Sequence, residues 1–259
     1  MPIDKKGFLG NEINKASKKI YDDNKDCFDF CYDLNTYAHK TMFEFKLHNK
    51  DGQECVSVAL FIKALNGFQA VVILTKLGLV IEAKILLRSL IEALFLLKIV
   101  CEDKDFVPEY IRTDEINRLK LMRIAWDSSH PVFKPLKENV TGEMIKSLES
   151  KIKKDCISSL RIEQLAIKAK MKDWYDSVYR LLSSSVHTNP RELDNYVTVD
   201  ENGDIKSFVW GPRETDVGLI LYTSAEILIT TLTLMSKLSS LDKEKTLDNF
   251  KTRLDKFAP

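Results

Sequence analysis

Arg180 and His187 stand seven positions apart in a stretch with helical periodicity. At about 100° per residue, offsets of three, four and seven return to one face, so Arg180, Ser183, Ser184 and His187 gather on one side. The opposite stripe, Trp174, Val178, Leu181, Leu182 and Ser185, is expected to face the core. A guanidinium grips a phosphate through a fork of donors, and an imidazole with a pKa near 6.5 takes or gives a proton at neutral pH. This pair can cleave RNA without a metal ion. The same residues also fit structural roles: His187 as a helix C-terminal imidazole on the last carbonyls, and Arg180 as an ion-pair partner of Asp176 or Glu163.

Two other constellations compete with it. Arg123 and His130 repeat the same spacing on a segment that ends at His130-Pro131. On an earlier and far more apolar helix, Glu82, Arg88, Ser89 and Glu92 form a polar strip. Unpaired charge in a core is costly, so the strip needs partners. Arg88 and Glu92, four apart, can pair with each other and fix helix register, or reach Glu226 or His187 on neighbouring helices. The functional alternative makes Arg88 a second phosphate ligand.

Arg180, six intervening residues and His187, near the end of a helix, resemble the signature of the HEPN (higher eukaryote and prokaryote nucleotide-binding) superfamily. Leu181 stands where that signature often has a polar residue. The resemblance implies a metal-independent ribonuclease or RNA-binding protein of a bacterial toxin–antitoxin or phage-defence system, acting as a homodimer. Leu87-Arg88-Ser89-Leu90-Ile91-Glu92-Ala93 and Tyr179-Arg180-Leu181-Leu182-Ser183-Ser184-Ser185-Val186-His187 also resemble a bacterial helical family that pairs an Arg-x-x-x-Glu helix with a Tyr-x-x-Leu-Ser-x-x-x-His helix. That second resemblance covers roughly residues 55 to 240 and implies fold more than activity.

The elements that must hold these residues are helices. Nine Gly and seven Pro in 259 residues are about half the usual share, which suits long uninterrupted helices. Periodicity and punctuation predict an all-α antiparallel bundle of about seven helices. A charged first helix is expected from near Lys5 into the forties, as an N-terminal arm over 1–50. Ser57 to Lys76 and Leu79 to Cys101 should form a buried hairpin of helices about Gly78. Phe106 to Trp126, a helix opened by Thr141, Lys172 to His187 and Glu214 to Leu241 complete the set. Between the last two, Tyr196 to Val199 and Ile205 to Trp210 alternate around an Asn-Gly turn, which predicts a small inserted β-hairpin over about 196–210. An isolated hairpin is marginal in water, so it is expected to pack on the helices or on a second subunit. One domain, with its core over 55–241, is expected.

Composition narrows the remainder. Lys plus Arg number 39 and Asp plus Glu 38, a net charge of +1 that marks no bulk polyanion partner. The five cysteines, Cys27, Cys31, Cys55, Cys101 and Cys156, lack zinc or redox spacing and read as reduced packing thiols of a cytoplasmic protein. No cofactor and no metal are expected, since no Gly-rich phosphate loop, paired metal-ligand helix or nucleophile elbow occurs. The N-terminus has no apolar signal core. The two apolar runs read as buried helices, because the longest uncharged stretch of the first is Ala64 to Thr75 and Glu226 interrupts the second; no membrane partner is expected. The competing functional reading is a non-enzymatic helical module that acts through protein–protein contacts in a defence system.

Overall fold

In the computed structural model, residues 6–48, 50–183 and 190–258 are described, apart from the side chain of Arg191. Helices account for 74% of the structure, and a two-stranded antiparallel sheet is its small β component. The predicted all-α architecture with an inserted hairpin is the observed one.

Two antiparallel helices form the spine. Helix α3 (Gly52–Lys76) starts where the Asp51 carboxylate accepts the amides of Gln53 and Glu54 at 2.9 and 3.2 Å, satisfying donors that a helix start leaves open. The chain reverses at Gly78, whose φ of +76° lies in the left-handed region that favours glycine, and continues as α4 (Val80–Glu102). The Gly78 carbonyl accepts from the Arg213 amide at 3.0 Å. Helix α10 (Val217–Leu238) lies across both and closes the centre of the core. Phe61, Leu65, Phe68, Leu94 and Phe95 from the spine meet Ile220, Leu221 and Leu228 there, all nearly inaccessible to solvent. By length and apolar composition α3 and α10 could each cross a membrane; here they pack against each other.

The N-terminal residues join this same core. The single long helix expected there is two, α1 (Ile13–Asp23) and α2 (Lys25–Met42), broken at Asn24. The Asn24 amide donates to the Ile20 carbonyl at 3.0 Å, so the side chain competes for a helix acceptor. Phe28, Cys31, Leu34 and Ala38 of α2 are buried against the spine and α10. Burial pushes the Cys31 thiol far above its ordinary value and the Cys101 thiol up to about 11, which makes both unreactive packing groups.

The segment from Phe106 is likewise split, into α5 (Phe106–Arg112) and α6 (Asp114–Asp127). At the join the Thr113 hydroxyl donates back to the Tyr110 carbonyl at 2.7 Å. Helix α7 (Gly142–Lys154), capped by the Thr141 hydroxyl at the Met144 amide, packs on α6 around a separate small cluster of Leu119, Val140 and Ile145. Helix α8 (Ile162–Lys168) was absent from the sequence reading. So was α11 (Glu244–Leu254), which follows a turn at Ser240, φ +51°, after α10 has ended earlier than expected.

Strands β1 (Val197–Val199) and β2 (Ile205–Phe208) flank a turn in which the Asp200 carboxylate accepts the Asn202 and Asp204 amides at 2.9 and 3.0 Å. The register opposes Val197 with Phe208 and Val199 with Ile205, while the Thr198 and Ser207 hydroxyls bond each other at 2.6 Å. The register shifts between Thr198 and Val199, so that Lys206 has no partner on β1 and strict alternation is interrupted. The hairpin was expected to be covered by helices or a second subunit, yet within this chain β2 is exposed throughout. Its base is tied down where Arg213 donates to the Asn195 carbonyl and to the Gly78 carbonyl.

Candidate functional site

The polar strip of α4 meets the helix that carries Arg180. That helix, α9, comprises Lys172–Trp174, a π-helical stretch Tyr175–Tyr179 and Arg180–Ser183. A π-helix bonds i to i+5 and takes more residues per turn than an α-helix, so residues beyond it are rotated from their α-helical projection. Leu181, projected onto the core stripe, is 77% exposed, and Tyr179, projected off it, is 4% exposed. Leu182 is buried as expected. Ser185, the last member of that stripe, lies outside the described residues.

Tyr179 bridges the two conspicuous residues of α4. Its hydroxyl accepts from Arg88 Nη2 at 2.7 Å and donates to Glu92 Oε1 at 2.9 Å. Arg88 Nε lies 3.3 Å from the same carboxylate oxygen, an electrostatic contact rather than a hydrogen bond, and Arg88 Nη1 is buried with no hydrogen-bond partner among the described residues. Burial raises the Tyr179 phenol above its ordinary value, which keeps it protonated and able to donate to Glu92. Of the alternatives open to Arg88 and Glu92, the structure realises the internal pair, extended by a third member. Glu226 is elsewhere, facing Lys251 of α11 and Asp255 just beyond its end.

The clasp holds Arg180 indirectly. Tyr175 and Tyr179 stack with centroids 5.1 Å apart at 20°, Arg88 lies 4.7 Å from the Tyr179 centroid, and Arg180 lies 5.5 Å from that of Tyr175. Arg180 itself is exposed, with a side-chain accessibility of 61% and a 3.5 Å contact to Asp176. Lys172 is closer to that carboxylate, at 2.8 Å, and holds its pKa below the ordinary value. Arg180 is thus the weaker of two cations sharing one anion, and a phosphate can displace the contact at small cost.

His187 and Ser184 lie outside the described residues, beyond Ser183. The competing match is structurally engaged. Arg123 directs Nε and Nη2 at Glu149 Oε1, 3.1 and 2.7 Å away, and His130 Nδ1 accepts the Val132 amide at 3.2 Å.

Replacing Tyr179 by phenylalanine leaves the partly buried Arg88 and Glu92 without their shared hydroxyl. A lost buried bond to charged groups costs about 2 kcal/mol, so Tyr179→Phe is expected to lower the urea midpoint with the far-UV circular dichroism unchanged. An unchanged midpoint would show that the hydroxyl contributes nothing.

Glu226 yields a pH prediction. Partial burial in a cleft of about 260 Å³ raises its pKa, with Lys251 opposing and Asp255 reinforcing the shift. The folded state thus favours the neutral acid, so the stabilisation is present below the unfolded glutamate value of about 4.3 and lost as pH rises through the raised folded value. Glu226→Gln is expected to melt higher than the unsubstituted protein at neutral pH, with the gap closing in acid. A constant difference across the pH range would contradict this.

Fold and site together define an all-helical protein in which a Glu–Tyr–Arg clasp locks an arginine-bearing π-helix to the bundle. Residues 54–205, more than half of the chain, match a family of unknown function, DUF5677, and the chain belongs to that family. The matched region contains the hairpin's first strand, the whole clasp and both Arg180 and His187. No curated protein and no solved structure matches the chain.

Proposed function

We propose that this protein is a HEPN-like, metal-independent ribonuclease or RNA-binding protein of a bacterial toxin–antitoxin or phage-defence system, acting in the cytoplasm. The observation that carries the reading is Arg180: an exposed guanidinium, loosely held by Asp176, on a helix anchored by the Arg88–Tyr179–Glu92 clasp. A partly buried clasp that anchors the helix of an exposed cation is the arrangement expected of a positioned phosphate ligand. In the reaction, His187 takes the proton of a ribose 2′-hydroxyl, whose oxygen attacks the adjacent phosphorus. Arg180 stabilises the charge gathering on the phosphate oxygens, and Ser184 orients either group. The P–O5′ bond breaks, the 5′-oxygen takes the proton back from the His187 imidazolium through solvent, and a 2′,3′-cyclic phosphate is left. Arg88 and Glu92 serve as positioning residues.

A second reading, a non-enzymatic module that binds a protein partner, is favoured by the hairpin. Val199, Ile205, Phe208 and Trp210 are 58 to 69% exposed, an apolar surface without cover in one chain. Homodimerisation through it is compatible with either reading, and light scattering at micromolar concentration checks it. The two readings separate on one comparison. If His187→Ala abolishes RNA cleavage and the cellular phenotype, the enzyme reading stands. If the phenotype survives His187→Ala and is lost with Phe208→Asp, the interaction reading replaces it.

A further inference from the structure

A cavity of about 430 Å³ opens between α4, α10, the segment that leads into the hairpin, and Val178, Leu181 and Leu182 of α9, the helix that carries Arg180. Its size lies within the range of small-molecule sites. Leu87, Val178, Leu182 and Ile220 supply apolar walls. At its margin Leu181 is 77% and Leu219 48% exposed. Leu181 follows Arg180 in the chain, so the cavity margin and that arginine lie within one turn of the same helix, on different faces of it.

Polar groups also reach the cavity with bonding capacity unspent. The Asn195 amide nitrogen donates to the Glu192 carbonyl at 3.1 Å, and its Oδ1 accepts nothing among the described residues. Thr223 donates its hydroxyl proton to the Leu219 carbonyl at 2.8 Å, which leaves its lone pairs for an incoming donor. Lys84 Nζ contacts Asp216 at 2.7 Å and retains further N–H donors. Glu192, 6% exposed, also lines the cavity, which is therefore acceptor-rich with one donor and suits a flat heteroaromatic ring that carries an amino group beside a ring acceptor. An extruded base is recognised in this way, by apolar contact on its faces and hydrogen bonds along its edge.

We infer that this cavity is a nucleobase pocket, which seats a base of the RNA whose phosphate Arg180 holds on another face of the same helix. Asn195 and Thr223 accept from the exocyclic amino group of adenine or cytosine, and Lys84 donates to the adjacent ring nitrogen. The inference rests on the RNA reading and adds to it a preference for amino-bearing bases.

The test titrates the full-length protein with each of the four nucleoside 3′-monophosphates by calorimetry, alongside RNA cleavage. AMP or CMP is expected to bind more tightly than UMP. Leu219→Trp, a rim substitution that fills the cavity, should weaken binding at least tenfold without changing the melting temperature. Thr223→Val, close in shape, should reduce the preference roughly fivefold, as expected for one lost hydrogen bond. Failure of all four nucleotides to bind, or equal binding by Leu219→Trp, overturns the pocket. If RNA is cleaved in an Arg180-dependent way while Leu219→Trp leaves base preference intact, the pocket is rejected and the ribonuclease reading survives. If nucleotides bind and Leu219→Trp blocks them although no RNA is cleaved, the pocket survives without the ribonuclease.

Discussion

Arg180→Ala is expected to lower RNA cleavage by roughly 10² or more while leaving the fold as stable as before. An interaction that strengthens as charge builds on the phosphate acts mainly in the transition state, so the loss should fall on turnover more than on substrate affinity. The structural consequence is small because the side chain is 61% exposed and shares Asp176 with the closer Lys172. Surface substitutions of this kind usually change stability by less than about 0.5 kcal/mol. Arg180→Lys should restore activity only in part, since an ammonium supplies the charge without the fork. Single-turnover cleavage and thermal melts on the same preparations check both halves. Equal losses in melting temperature and activity would make Arg180 a structural residue.

Gly78→Ala is expected to be the most damaging of the single substitutions considered for stability. Two independent costs coincide at that position. The backbone has φ +76°, where an L-residue loses roughly 1–2 kcal/mol. An added Cβ would also meet Pro212 Cβ at 2.6 Å and the Arg213 backbone nitrogen at 2.9 Å, neither of which is the free end of a flexible side chain. Overpacking adds about 1–3 kcal/mol, for a total near 3 kcal/mol. At the usual 2–4 °C per kcal/mol for a chain of this size, the melting temperature should fall by roughly 6–12 °C. The damage should reach the hairpin, because Arg213 donates to both Gly78 and the Asn195 carbonyl. A melting temperature within about a degree of the original would contradict the close approach.

Much of this architecture is legible in the sequence, for reasons that differ by element. The spine is announced by two long apolar runs about Gly78, and the hairpin by period-two alternation around Asn202-Gly203, where φ is +85°. The spacing of Arg88 and Glu92 foretells their pairing, since residues four apart share a helix face. Tyr179 is different. It stands in the quoted motif, but its burial depends on a π-helical step that only tertiary packing selects, and an α-helical wheel places Leu181 in the core instead. The break at Asn24 turns on one side-chain hydrogen bond that periodicity does not register. Glu226 is conspicuous as a charge within an apolar helix, while the groups facing it lie in α11 and just past its end, and the short and highly charged sequence of α11 carries a weak helical signal.

The central claim is that Arg180 and His187 cleave RNA without a metal ion. It is tested most directly by incubating the purified full-length protein with a mixed-sequence RNA in excess chelator, beside His187→Ala under identical conditions. The account predicts fragments ending in 2′,3′-cyclic phosphate at a rate indifferent to chelator, reduced at least about 10² by the substitution with circular dichroism unchanged. Cleavage that stops on adding chelator, cleavage that persists in His187→Ala, or no cleavage at all would contradict it.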